Sequence, residues 1–253
     1  MFVQAKYSQT CAKYGVLDKI LIDDLTGNTS DPFSIFNGLI CDESYLLEDA
    51  KSKKNTQLLE AIYHYNYYRA FYRGDYDETE KMYEVILTLP TSKNPKMRRS
   101  HGIFFRGLVA FHFYREGRGE EWQKKGKDAL EKMELWLKNS TSTFENKSFL
   151  LRAEYLASVC NVSEAMAMYE KAIKSARDHG LIHEQALAYE FMGNFLASIV
   201  ETSEATLCFG SAYECYMQWG AVVKAEKIRK DHKLDQYDEI GSCKVKHGRD
   251  WDE

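Results

Sequence analysis

Prolines are scarce in this chain, three in 253 residues, and only 15 glycines interrupt it. That scarcity excludes a many-turned β-sandwich and favours long helices. A basic excess is also missing: the formal net charge is −4, so nothing points to nucleic acid as a partner. No apolar stretch approaches the roughly 18 residues of a membrane span, and the start MFVQAKYSQTCAKYG lacks a signal-peptide core. Membrane insertion is therefore not expected. The six cysteines, Cys11, Cys41, Cys160, Cys208, Cys215 and Cys243, are scattered and form no C-x-x-C pair. Cys160, Cys208 and Cys215 fall on or beside apolar helix faces, where a reduced thiol behaves as a small hydrophobe. The reading is a reducing, cytoplasmic compartment. The four N-x-S/T sequons at Asn28, Asn139, Asn146 and Asn161 are then chance matches.

Against these absences stands a composition that is 44% hydrophobic and 28% charged, enough to build a core. A pattern occurs twice between Phe149 and Tyr213. The first copy reads Phe149, Ala153, Leu156, then Ala165, Tyr169, Ala172. The second reads Tyr189, Gly193, Leu196, then Ala205, Phe209, Ala212, each 40 residues after its counterpart. Each triplet occupies one face of a helix. Small residues let paired helices approach while aromatics fill the space between them. That is the arrangement of a tetratricopeptide-repeat (TPR) helix pair, whose usual period is about 34, so longer helices or an extra turn are expected. Degenerate copies of the second triplet recur upstream at Thr79, Tyr83, Ile86 and at Ala129, Met133, Trp136. The fold class is all-α: a TPR-like antiparallel helix-pair solenoid.

Along the chain, residues 1–41 form an N-terminal helical or irregular segment. The pattern there predicts helices over Phe2–Tyr14 and Val16–Leu25, with a short helix opening at Asp31-Pro32 and closing at Gly38. The repeat domain spans 42–232. Helices are predicted over 43–51, 56–73 (closed by Gly74), 96–115, 122–138 and 221–230, the last a polar-faced cap. Asp75 with Glu78, and Asn161 with Glu164, are capping-box-like starts. NSTSTFENKS, residues 139–148, reads as a loop. The segment 233–253, dense in both charge signs, reads as a disordered tail.

Catalytic patterns in this sequence are each incomplete. GRGEEWQKKGKD resembles a phosphate-binding loop around Gly126-Lys127, but Glu121 stands where that loop needs glycine and Asp128 where it needs a hydroxyl. Carboxylates there would repel a nucleotide. His179 and His183 have zinc-helix spacing, but Gly180 lies between them, which favours a turn. His183-Glu184 lacks the Arg-Thr-Pro of a phospho-acceptor histidine box. His101 and His112 lie on a strongly apolar helix and read as packed residues. The aromatics Tyr63, Tyr65, Tyr67, Tyr68, Phe71 and Tyr72 lack an interleaved basic stripe, so they read as helix packing and not as a base-stacking platform. No nucleophile elbow or dinucleotide fingerprint is present. The chain is read as non-enzymatic, with no catalytic residues, cofactor or metal.

Several strings carry a family resemblance: Tyr72-Arg73-Gly74-Asp75-Tyr76, HFYR at His112–Arg115, FENKSFLLRAE at Phe144–Glu154, AMAMYEKAIKSARDHGLIHEQALAYE at Ala165–Glu190, and QWGAVVKAEKI at Gln218–Ile228. Through them, residues 42–232 resemble the TPR-like helical region that follows the AAA/STAND-type ATPase module in multi-domain sensor kinases. Those proteins combine a serine/threonine-kinase-like domain, the ATPase, this array, a GAF domain and a histidine kinase. The resemblance implies a role in signalling beside such modules; their catalytic residues lie in domains outside this chain. The expectation is a scaffold or signal relay that binds protein partners or neighbouring domains, or else a structural spacer within a larger kinase. Binding is expected in a groove on the face lined by the first helix of each pair, through exposed neighbours such as Arg152, Tyr155, Glu190 and Asn194.

Overall fold

The apolar spacing read above becomes eleven helices among the described residues of the computed structural model, which are 2–27, 35–36, 39–40, 43–89, 96–138, 141–199 and 202–234. In chain order they are α1 (Phe2–Thr26), α2 (Glu43–Ser52), α3 (Thr56–Arg73), α4 (Tyr76–Thr88), α5 (Lys96–Arg115) and α6 (Glu120–Leu137). These are followed by α7 (Thr141–Ser158), α8 (Val162–Asp178), α9 (Ile182–Ser198), α10 (Thr202–Trp219) and α11 (Val222–Asp231). The described residues are all-α apart from one antiparallel ladder, β1 (Ile35–Phe36) with β2 (Leu39–Ile40), in which Ile35 pairs with Ile40 and Phe36 with Leu39.

Neighbours in sequence pack as antiparallel hairpins: α3 with α4, α5 with α6, α7 with α8, α9 with α10. Alternate helices also touch, α3 with α5, α5 with α7 and α7 with α9, so these four form an inner layer. Composition explains the layering. Helices α4, α6 and α8 bury one stripe each, whereas α9 buries residues around most of its circumference, from Ala186 and Leu187 to Phe195 and Leu196. A helix that is apolar all round must be covered all round.

The second triplet of each copy is buried as its spacing predicts, while Phe149, Leu156 and Tyr189 of the first triplets pack at the edge of the core. Ala165, Tyr169 and Ala172 are buried on α8, and Ala205, Phe209 and Ala212 on α10. A methyl group on Gly193 would sit 2.7 Å from Phe209 Cε1, so only glycine admits that ring. The same device recurs on the upstream hairpin, where a methyl on Gly126 would lie 2.5 Å from Phe111 Cε1. The degenerate copies share the face: Thr79, Tyr83, Ala129 and Met133 are buried, with Ile86 and Trp136 packed at the edge of the core. Gly74 adopts φ 79° and closes α3, and Asp75 Oδ1 accepts from the Glu78 N–H at 3.0 Å, the expected cap of α4.

Five local expectations change. Instead of two N-terminal helices, one runs unbroken through Gly15. A helical glycine costs only about 1 kcal/mol, and Val16 and Leu17 bury against Leu46, Ala50 and Leu58. That cluster crosses the boundary drawn at 41/42. The expected helix after Asp31-Pro32 gives way to the β1–β2 ladder where residues are described, Ile35–Phe36 and Leu39–Ile40; Asp31, Pro32 and Gly38 lie outside them. The predicted loop 139–148 is mostly the start of α7, because Asn146, Lys147 and Ser148 are buried. Helix α6 begins at Glu120, earlier than expected. Asn161 occupies the N-cap position of α8 but makes no side-chain cap bond. Residues 235–253 of the expected tail lie outside the described residues.

Candidate functional site

The inner layer is joined by buried charge. Arg115 on α5 pairs with Glu154 on α7 at 2.6 Å. Lys147 on α7 pairs with Glu184 on α9 at 2.5 Å, and Lys224 on α11 pairs with Glu190 on α9 at 2.5 Å. The three glutamates are 0, 6 and 8% exposed. Each has further donors: the Tyr169 hydroxyl for Glu154, the Asn146 amide for Glu184, and the Tyr216 hydroxyl for Glu190 at 2.8 Å. One ion pair therefore links each successive pair in the series α5, α7, α9, α11. Burying a charge costs several kcal/mol unless it is matched in this way, so the pairs fix which helices meet and in what register.

The seam joins the same helices, α5, α7 and α9, that were expected to line a groove. The rings of Phe105 (α5), Phe71 (α3) and Phe191 (α9) stack in sequence, at 4.1 Å and 6.4 Å between centroids. Tyr72 then meets Trp219 of α10 at 5.5 Å. The last turn of α3 thus meets rings of α9 and α10 as well as α5.

Of the four residues expected to line a groove, Glu190 requires correction. It is buried and ion-paired with Lys224, because α11 covers the stripe of α9 that helical phase alone assigns to solvent. Tyr155 is half-buried, with Phe111 at 6.0 Å and Lys127 Nζ 5.1 Å from its ring centre. Arg152 is exposed and pairs with Glu134 of α6, which places it on the α6 side of α7. Asn194 is exposed on α9. The four do not form one cluster. The seam residues Arg115, Lys147, Glu154, Glu184 and Lys224 were not singled out from sequence. The available signal was a charge recurring on an apolar stripe, as in Lys147, Leu151 and Glu154 at i, i+4 and i+7.

Protonation states follow from these surroundings. Burial pushes the Glu184 carboxyl up, but hydrogen bonds from His183, Lys147 and Asn146 and the lysine charge outweigh it and hold the group at about 2. His183 Nε2 lies 3.5 Å and His101 Nε2 3.9 Å from the same Oε1, so α5, α7 and α9 all converge on one anion. His183 also stacks on Trp219. Its expected neighbour His179 instead contacts the Ser175 carbonyl, and Gly180, at φ 67°, separates the two. His101 and His112 are only half-buried, and His112 lies against Glu116 at 3.1 Å. Burial raises the Tyr72, Tyr76, Tyr169 and Tyr216 hydroxyls and pushes the Cys208 thiol to about 12, so these groups stay protonated at neutral pH. A permanently ionised, fully paired glutamate makes a poor general base.

The suspected phosphate-loop segment lies within and just before α6, with Gly126 buried against Phe111. Among the described residues, no group of three His, Cys, Asp or Glu side chains is placed to hold a metal ion, and no helix is long and apolar enough to cross a membrane. No protein-family model and no curated protein matches the chain.

Proposed function

We propose that this protein is a non-catalytic, TPR-like helical scaffold that binds protein partners, or relays state between neighbouring domains, in cytoplasmic signalling. The observation that carries the reading is the alternation of inner and outer helices, with α3, α5, α7 and α9 packed in series. That is how repeat arrays build a continuous core from units that cannot bury their own faces. The resemblance of residues 42–232 to the helical region beside an ATPase module in sensor kinases supports the signalling context. Recognition falls to side chains that the inner helices leave exposed, such as Arg152 on α7 and Asn194 on α9. The test is native purification of the full chain with crosslinking. A defined partner or neighbouring domain is expected to crosslink to exposed residues, and Arg152→Glu with Asn194→Arg to weaken the association without loss of helicity. A chain that migrates alone, or that hydrolyses nucleotide in a manner abolished by one buried substitution, overturns the reading.

A second reading, a rigid spacer within a larger kinase, is favoured by the seam itself, since buried ion pairs between successive inner helices stiffen the array. Crosslinks confined to covalently adjacent domains would select it.

A further inference from the structure

Where α1 and α3 meet α11, an apolar crevice lies beside an excess of lysine. The crevice, about 80 Å³, opens between α1, α3 and α11. Leu21, Leu25, Tyr72 and Val223 supply its apolar walls; Asp24 in the same lining is neutralised by Arg69 and Arg73, and Arg73 and Lys227 stand at the rim with side chains 59 and 46% exposed. Deeper in, Lys224 is committed to Glu190. Val223, Lys227 and Lys230 fall at i, i+4 and i+7 of α11, one face of the helix, and Lys233 follows just beyond it; all four are exposed. From Lys224 to Lys233 five cations (Lys224, Lys227, Arg229, Lys230, Lys233) stand against two anions (Glu226, Asp231), in a chain whose net charge is −4. Lys227 pairs with Asp231 and Arg229 with Glu226. Lys230 and Lys233 form no ion pair among the described residues, so the local surplus is accessible.

We propose that this crevice and the lysine face of α11 form a docking site for an acidic peptide segment of a protein partner. One aliphatic side chain would seat between Leu21, Leu25 and Val223, and flanking carboxylates would meet Lys227, Lys230 and Lys233. Size supports a peptide over a longer polyanion. The face from Val223 to Lys233 runs about 15 Å along the helix, the span of roughly five extended residues. An apolar-walled crevice has no counterpart in a phosphate backbone. The site rests on the scaffold reading and gives it a partner chemistry.

Fluorescence anisotropy of a labelled Asp-Glu-Leu-Glu-Asp peptide with the full chain tests it. Saturable binding is expected that weakens as salt is raised and falls about tenfold in K230E/K233E. Val223→Asp is expected to reduce it comparably, and circular dichroism to show all these variants fully helical. No saturable binding to the wild-type chain, or binding indifferent to both variants, overturns the site. So does tighter binding of a ten-nucleotide oligothymidylate or of phosphatidylserine vesicles, which would assign the surface to phosphate. A partner released by Arg152→Glu with Asn194→Arg but not by K230E/K233E overturns this site alone and leaves the scaffold reading standing.

Discussion

Replacing Glu184 with glutamine tests the central physical claim, that buried charge sets the register of the inner helices. The carboxylate accepts from Lys147 at 2.5 Å and lies beside His183, His101 and Asn146. Its pKa falls from an ordinary 4.5 to about 2, which corresponds to about 3 kcal/mol of stability at neutral pH. Because the folded value is the lower one, that stability is fully present above 4.5 and is lost as pH falls from 4.5 towards 2. Removing one partner of a buried pair costs about 3–5 kcal/mol, because the other charge stays buried, so the two routes agree. Urea unfolding of Glu184→Gln at pH 7 should show a loss of about 3 kcal/mol. The difference from wild type should shrink as both are acidified through that window. Replacing both partners, Lys147→Met with Glu184→Leu, should recover much of the loss, since well-packed apolar pairs rival buried ion pairs. A loss below about 1 kcal/mol, or a difference that does not change with pH, would refute the reasoning.

Three further outcomes follow from particular contacts. Gly193→Ala should lower the urea midpoint, because its methyl would meet Phe209 Cε1 at 2.7 Å and overpacking costs about 1–3 kcal/mol, whereas Gly210→Ala, which meets open space within α10, should raise stability by about 0.5–1 kcal/mol. Asp75→Ala should cost about 1 kcal/mol through loss of its bond to the Glu78 N–H, and Asn161→Ala measurably less, since Asn161 makes no such bond. Burial lowers the pKa values of His112 and His232 from 6.5 despite nearby carboxylates, so the stability they allow is complete above 6.5 and declines as pH falls below it; thermal melts from pH 7.5 to 5.5 should show the decline, blunted in His112→Gln with His232→Gln.

Much of the architecture was determined locally. The 40-residue spacing, the small-aromatic-small faces and the Gly74-Asp75 boundary each depend on contacts within one helix or one hairpin, and such contacts are written in periodicity. Helix α7 shows where that reasoning stops. A run of polar residues at 146–148 reads as loop until Glu184, far along the chain, receives Asn146 and Lys147. Glu190 shows the same limit for the site: its helical phase was legible, but whether that phase faces water depends on α11 and Lys224 lying over it. The sequence by itself determined an all-helical chain of paired helices, because helix formation and hairpin packing answer to nearest neighbours. Only the tertiary structure decided that the last turn of α3 meets α9 and α10, that the inner helices carry buried ion pairs, and that accessible charge gathers on α11. Those outcomes depend on contacts between helices distant in sequence, such as α1 and α3 with α11, which no single segment encodes.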